Sequence, residues 1–113
     1  MLLIKYLRLI QAFLRAFWIL WVRFPRLNRE EKLLAIQTWS TQTLAVMGVT
    51  VNVVGHIERP PLSNTPQLLV ANHVSWLDPV AIQTVQPSIF VAKEEVRRWP
   101  VVGAIAQACG VVF

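Results

Sequence analysis

The sequence predicts an α/β fold in which an N-terminal pair of amphipathic helices precedes an incomplete sheet with helical crossovers. Two observations predict it. Apolar residues recur at helical spacing over residues 1–47. From residue 49 onward, short apolar or alternating segments are interleaved with helical ones, which is the order expected of a sheet with helical crossovers. We therefore divide the chain into a helix pair, 1–48, and the N-terminal part of an α/β domain, 49–113.

Composition restricts the class of protein. Of the 113 residues, 55% are hydrophobic and 15% are charged, which is too apolar for an intrinsically disordered chain. Cys109 is a single cysteine and excludes a disulfide framework, and the chain has too few Cys, His and Asp residues for a structural zinc site. The basic N-terminal stretch lacks a small-residue cleavage site, which disfavours a secretory signal peptide. We expect a reducing compartment and no bound cofactor.

The net positive charge comes from the N-terminal segment. Residues 1–32 carry seven Lys and Arg side chains and two Glu, a net charge of +5, whereas the charges of residues 33–113 sum to zero. A basic surface often binds nucleic acid. Here the basic side chains are interleaved with Leu, Ile, Phe and Trp, which suits an anionic lipid surface better. We expect membrane lipids and no nucleic acid as partners. The nucleic-acid alternative predicts soluble purification and an affinity that falls steeply with salt.

The first predicted helix covers residues 1–24 and ends at Pro25. At 100° per residue, its polar side chains fall within an arc of about 120°. They are Lys5, Arg8, Gln11, Arg15 and Arg23. The longest stretch without a charge, 16–22, is far shorter than the roughly 20 residues of a membrane span. Trp18 and Trp21 suit the membrane interface, so we expect the helix to lie in the interface. The alternative is a tilted spanning helix whose Arg side chains reach the headgroups.

The second predicted helix covers residues 29–47. Asn28 is a good N-cap, with Glu31 three residues on, and Gly48 is a good stop. Its apolar side chains cluster on one face and its Gln and Thr side chains on the other, so the two helices form a membrane-docking hairpin. The alternative is an ordinary helix pair that packs on the core of its own domain.

Strand patterns begin at residue 49, where apolar and polar residues alternate. The predicted strands are 49–53, 67–71, 88–92 and 111–113. The predicted helices are 78–85, 94–98 and 100–108. A Pro- and Ser-rich link, 60–66, joins the first two strands. Because the apolar final strand has no cap or polar tail, and the α/β part is marginally small for a stable domain, we expect the chain to be the front of a longer protein.

Residues 72–78, read NHVSWLD, carry the one arrangement with catalytic character. His73 follows the strand 67–71, at the sheet edge where open α/β folds bind ligands. Asp78, five residues later, can accept a hydrogen bond from one imidazole nitrogen and leave the other free as a general base. The alternative is structural, because Asp78 precedes Pro79 at a helix start and forms a capping-box pattern with Ser75.

These residues resemble the His-x4-Asp block of the glycerolipid acyltransferases, specifically the bacterial 1-acylglycerol-3-phosphate (lysophosphatidate) acyltransferases. Residues 90–95 (FVAKEE), 100–103 (PVVG) and 110–113 (GVVF) resemble later blocks of that family in the same order. The resemblance covers residues 68–113.

The resemblance implies a mechanism. His73, oriented by Asp78, deprotonates the free hydroxyl of a lysophospholipid, which attacks the thioester of acyl-CoA or acyl carrier protein without a covalent acyl-enzyme. The implied acceptor is 1-acylglycerol-3-phosphate, in phospholipid biosynthesis, with another lyso-lipid such as lyso-ornithine lipid left open. The implied location is the cytoplasmic face of the inner membrane. A noncatalytic membrane-surface or scaffold protein that retains the fold is the alternative from a different class.

The remaining candidate residues have weaker assignments. Cys109 is expected to be an inert core thiol, and His56 is assigned no role. Lys93, Arg97 and Arg98 either hold a phosphate or form a solvated helix face with neighbouring glutamates. The chain departs from the family because it stops before an expected arginine and a later Glu-Gly block. We therefore expect much of the acceptor site to be missing and the chain as given to be inactive.

Overall fold

The computed structural model of the protein describes residues 1–55 and 68–113, and the regular structure of these residues is helical. Helices take up 64% of them, and no strand or sheet forms among them. The α-helices are α1 (Leu2–Trp18), α2 (Arg29–Met47), α3 (Leu77–Val85) and α4 (Val102–Ala108). Shorter segments are a π-helix, Ile19–Arg23, and two 3₁₀-helices, Phe24–Arg26 and Glu94–Arg98. His56 and the predicted link 60–66 lie outside the described residues.

The first predicted helix is confirmed and runs slightly further than expected. The helical backbone passes from α1 through the π-helix into the 3₁₀-helix, and the chain becomes extended at Leu27, with φ −98° and ψ 146°. Pro25 lies in the first turn of the 3₁₀-helix, where its missing N–H is not needed. Across residues 1–55 and 68–113, no helix is long and apolar enough to cross a membrane.

The second predicted helix is confirmed at both ends. The Asn28 side chain accepts a hydrogen bond from the Glu31 backbone N–H at 2.9 Å, which satisfies one of the free donors at the start of α2. At the other end, Gly48 adopts φ 73°, a left-handed conformation that favours glycine and ends the helix. Both ends are set by residues next to them in the sequence.

Helix α2 packs between α1 and α3 and joins the helix pair to the rest of the chain. The Trp39 indole N–H donates to the Ala12 carbonyl of α1 at 2.7 Å. The Gln37 side-chain amide donates to the Thr84 carbonyl of α3 at 2.9 Å. A small core lies where α4 meets the π-helix and the turn into α2. Its buried residues are Ile19, Leu20 and Phe24. Ile105 and Ala108 of α4 and the following residue, Cys109, pack against them.

The prediction of an α/β fold is wrong for the described part of the chain. Residues 49–53 form no strand, and Leu68, Leu69 and Val70 are 87%, 52% and 83% exposed rather than paired in a sheet. A strand, unlike a helix, needs a neighbouring strand to satisfy its backbone N–H and C=O groups. An apolar run can therefore favour a strand conformation, but it does not show that a second strand lies beside it.

One trace of the predicted strand pairing is present. The predicted strands 88–92 and 111–113 meet in a single parallel bridge between Val91 and Val112. The Ala92 N–H donates to the Val112 carbonyl, and the Val112 N–H donates to the Phe90 carbonyl, both at 2.9 Å. The pairing has the parallel direction expected of a sheet with helical crossovers, but it stops after one bridge.

The turn before α4 brings that helix against the 3₁₀-helix Glu94–Arg98. Val101 has φ 64° and ψ −58°, a conformation strained for a β-branched residue, and Val102 N–H donates to the Pro100 carbonyl at 2.6 Å across it. A Cβ on Gly103 would lie 2.2 Å from the Arg97 carbonyl oxygen. The turn at 100–103, where the sequence predicted the start of a helix, therefore needs glycine at its last position, because the backbones of Gly103 and Arg97 are in contact.

Candidate active site

The structure brings the two predicted site residues together. His73 lies in the loop that precedes α3, and Asp78 lies in the first turn of that helix. The His73 Nδ1 atom is 3.4 Å from the Asp78 Oδ2 atom. This distance is longer than that of an ordinary N–H···O hydrogen bond but short enough for an ion pair when the imidazole is protonated. The fold back from loop to helix thus places the carboxylate beside the imidazole, as the spacing predicts.

The Asp78 carboxylate also holds the loop in shape. Its Oδ2 atom accepts hydrogen bonds from the Val74 N–H at 2.5 Å and the Ser75 N–H at 2.8 Å. The Ser75 bond and then the Val74 bond lower the pKa of Asp78 below its usual value. Desolvation opposes them by less, and the charge of His73 lowers this pKa by a still smaller amount. Asp78 is therefore a carboxylate at neutral pH and can orient a neighbouring imidazole.

The alternative interpretation of these residues, that Ser75 and Asp78 cap the start of α3, is correct in part. The Leu77 N–H donates to the Ser75 hydroxyl oxygen at 3.2 Å, so Ser75 supports the start of α3. Trp76, not Asp78, is the N-cap residue, and Asp78 reaches back to the loop rather than forward along the helix. A structural and an orienting role for Asp78 are thus compatible.

The imidazole is open to solvent. The His73 side chain is 66% exposed and the Asp78 side chain 35% exposed. With Nδ1 directed at the carboxylate, the second ring nitrogen is the one available to an incoming hydroxyl. Such an arrangement can act chemically as an oriented general base.

An aromatic cluster that the sequence analysis did not identify connects this loop to α1. The Phe13 ring lies 5.7 Å from the Trp39 ring at 76°, and 6.3 Å from the Trp76 ring at 50°. These distances are typical of interacting aromatic pairs. Helical spacing places Phe13 and Trp39 on their helices but gives no signal that they meet Trp76.

The other candidate residues do not join the site. Arg97 pairs with Glu94 at 3.3 Å and lies over the Phe113 ring at 4.8 Å, which agrees with the helix-face interpretation for that arginine. Cys109 packs beside the core, and burial raises its pKa to about 11, so it is an unreactive thiol at neutral pH. In the described ranges, no group of three His, Cys, Asp or Glu side chains is placed to hold a metal ion.

Comparison with known proteins identifies the family. Residues 49–113 match the Acyltransferase family, and this stretch includes both His73 and Asp78. The chain belongs to the acyltransferase family. The predicted resemblance to glycerolipid acyltransferases is confirmed by curated relatives.

Two groups of relatives are similar to different lengths of the chain. The 1-acyl-sn-glycerol-3-phosphate acyltransferase of Neisseria gonorrhoeae is 54% identical over 46 residues, 41% of this chain and 18% of that protein. The lyso-ornithine lipid O-acyltransferases of Rhizobium meliloti and Pseudomonas aeruginosa are each 37% identical over 75 residues, 66% of this chain and 24% and 27% of those proteins. The chain thus spans about a quarter or less of these relatives. No solved structure matches it significantly.

Proposed function

We propose that the protein is an O-acyltransferase that moves a fatty acyl chain from acyl-CoA or acyl carrier protein to the free hydroxyl of a lysophospholipid. The proposed acceptor is 1-acylglycerol-3-phosphate, in phospholipid biosynthesis. The observation that carries the proposal is the 3.4 Å approach of His73 Nδ1 to Asp78 Oδ2 within the stretch that matches the acyltransferase family. The 54% identity to a 1-acyl-sn-glycerol-3-phosphate acyltransferase supports the choice of acceptor.

In the proposed reaction, the second nitrogen of His73 takes the proton from the acceptor hydroxyl. The oxygen attacks the thioester carbonyl carbon, the new ester C–O bond forms, and the C–S bond breaks. The sulfur leaves with the bond's electron pair and receives a proton from the imidazolium. Asp78 keeps the Nδ1 proton in place and stabilises the positive charge that forms on the ring. No bound cofactor or covalent acyl-enzyme takes part.

A second acceptor is favoured by a specific observation. The lyso-ornithine lipid O-acyltransferases match 75 residues of this chain, against 46 for the 1-acyl-sn-glycerol-3-phosphate acyltransferase. The two acceptors share a free hydroxyl but differ in headgroup charge. Lyso-ornithine lipid is therefore the second candidate, and a direct comparison of the two acceptors tests the choice.

We also propose that α1 docks the protein on the cytoplasmic face of the inner membrane. Six large apolar side chains recur on α1 and the following π-helix at intervals of three or four residues, and each is 51–71% exposed. We call them the apolar stripe: Leu3, Leu7, Ile10, Leu14, Trp18 and Trp21. Burying a side chain of this size in an apolar medium is worth about 1.5–3 kcal/mol.

Charge on the same helices supports an anionic lipid surface as the partner. Residues 1–32, which include α1, carry a net charge of +5, and Arg15 and Arg23 line a cleft of about 200 Å³ between α1 and α2 together with Glu31. Basic residues next to a hydrophobic face attract anionic headgroups. The cytoplasmic face is proposed because it is the anionic leaflet and because the free thiol of Cys109 stays reduced there.

The decisive experiment replaces the proposed base. In the longest reading frame that contains residues 1–113, His73→Ala lowers kcat/KM for lysophosphatidate by at least about 10²- to 10⁴-fold, the usual worth of a general base. Transfer is measured by mass spectrometry of the acylated product, with lysophosphatidate and lyso-ornithine lipid as parallel acceptors. Val74→Ala is the matched control, because its side chain is exposed beside His73 and its backbone N–H still reaches Asp78.

Each outcome separates the candidate functions. Normal turnover by a folded His73→Ala variant contradicts the base assignment. Turnover of lyso-ornithine lipid but not lysophosphatidate replaces the first acceptor by the second. An unmodified protein that binds vesicles and transfers no acyl chain to either acceptor is the noncatalytic membrane-surface protein.

A further inference from the structure

The aromatic cluster provides a physical link between α1 and the loop that carries His73. Phe13 belongs to α1, and its ring contacts Trp76 at a centroid distance of 6.3 Å. Trp76 lies within the motif, between His73 and Asp78. The chain thus makes a direct contact between the helix proposed to meet the membrane and the loop proposed to do chemistry.

Trp76 is well placed to change the geometry of the dyad. Its neighbour Ser75 donates its backbone N–H to Asp78 Oδ2 at 2.8 Å, and its other neighbour, Leu77, begins α3. A shift of the Trp76 ring therefore moves the backbone groups that hold the carboxylate. The same carboxylate oxygen lies 3.4 Å from His73.

Phe13 is held on the other side by α2. Its ring packs edge-on against Trp39 at 5.7 Å, and the Trp39 indole N–H is bonded to the Ala12 carbonyl beside Phe13. Phe13 is half-buried, whereas the apolar stripe on the same helix is exposed. Phe13 therefore joins α1, which carries the exposed stripe, to Trp76 of the loop.

We propose that Phe13 and Trp76 are positioning residues that couple docking of α1 on a lipid surface to ordering of the His73–Asp78 loop. This inference rests on the docking part of the proposed function and goes beyond it, because it assigns the membrane a second effect. Lipid contact steadies the two backbone hydrogen bonds from Val74 and Ser75 to Asp78, in addition to bringing the protein to its substrate.

Hydrogen exchange tests the coupling without any catalytic assay. Exchange of the amides of residues 72–78 is compared in free protein and in protein saturated with vesicles of phosphatidylglycerol and phosphatidylethanolamine. Vesicles slow exchange of the Val74 and Ser75 amides in the unmodified protein. In Phe13→Ala the slowing shrinks by about two- to tenfold, the factor that corresponds to one aromatic pair.

Phe17→Ala is the matched control. Phe17 lies one turn further along α1, but its ring stacks on Trp21 at 4.9 Å, within the same helical stretch. At saturating vesicles this variant keeps the slowing of the unmodified protein. Trp76→Ala removes the same contact from the loop side, so it tests the coupling if Phe13→Ala does not fold.

The outcomes distinguish failure of the coupling from failure of the proposed function. Equal slowing in Phe13→Ala, Trp76→Ala and Phe17→Ala overturns the coupling. Vesicle binding by the unmodified protein without slowing at residues 72–78 also overturns the coupling but leaves docking intact. Absence of vesicle binding overturns docking and coupling together. Slowing in a protein that transfers no acyl chain supports the coupling and rejects the proposed activity alone.

Discussion

The helix pair, residues 1–48, and the later region, 68–113, follow their sequence patterns to different degrees. In the first region, α2 begins and ends at the residues that its caps predict. In the later region the helix predictions hold, but the two strand predictions 88–92 and 111–113 yield a single bridge. Helical hydrogen bonds close within one segment, whereas strand hydrogen bonds require a second segment at the right distance. Local patterns therefore predict helices more securely than sheets.

The two regions are nevertheless not independent, because they share one core. The buried residues Ile19, Leu20 and Phe24 come from the first region, and Ile105 of α4 and the following Cys109 pack against them. The two regions differ in how well their local sequence predicts their secondary structure. Because they share a core, we expect them to unfold together.

The largest effect is expected from Phe24→Ala. Removing a buried Phe side chain from a core costs about 3–5 kcal/mol of the free energy of unfolding. Since α4 packs on this core, the loss should unfold both regions in one transition. Urea unfolding followed by circular dichroism gives the free energy, and hydrogen exchange of α1 and α4 shows whether they open together.

Two further variants keep that prediction falsifiable. Ile19→Val removes a single methylene from the same core and should cost about 0.5–1.5 kcal/mol if Phe24→Ala is too unstable to measure. Leu14→Ala, on the exposed apolar stripe, should change the free energy of unfolding by less than about 0.5 kcal/mol. If α4 stays protected while α1 opens, the two regions are separate folding units.

The reactivity of the Cys109 thiol tests whether the later region packs against the core of the helix pair. Burial raises its pKa from an ordinary value of 9.0 to about 11, so the folded protein holds about 100-fold less thiolate at pH 8 than the unfolded chain. Alkylation by iodoacetamide should be slower by about that factor in native protein than in urea. Similar rates in the two states would contradict packing of Cys109 against the core.

The raised pKa of Cys109 also determines how the stability of the fold changes with pH. The folded state keeps the Cys109 proton when the unfolded chain has lost it. This contribution to stability is therefore fully present below pH 9 and is lost as pH rises toward 11.

A smaller loss of stability than that of Phe24→Ala is expected from Asn28→Ala. The variant removes the side-chain oxygen that accepts the Glu31 N–H at the start of α2, and loss of an N-cap costs about 1 kcal/mol. Urea unfolding measures the change. Asn28→Asp is the control, because its carboxylate can cap the same N–H and also favours a helix N-terminus. An equal loss in both variants would show that the cap does not set this helix end.

Much of the candidate site could be predicted from the sequence. Only four residues of loop and helix start lie between His73 and Asp78, so the approach of their side chains depends on a local fold back and not on the predicted sheet. The prediction of a sheet was wrong for the described residues, yet the side chains of His73 and Asp78 lie close together. Phe13 could not be predicted, because its contact with Trp76 depends on how α1 lies relative to α3.

The sequence by itself determined the ends of α2, the apolar and basic patterning of α1, and the short spacing that lets His73 and Asp78 meet. Each depends on residues within a few positions of one another. Only the tertiary structure decided that α2 lies between α1 and α3, that Phe13 reaches Trp76, and that residues 68–70 remain exposed. Such contacts join segments far apart in the chain, and their formation depends on the packing of the whole molecule and not on any local pattern.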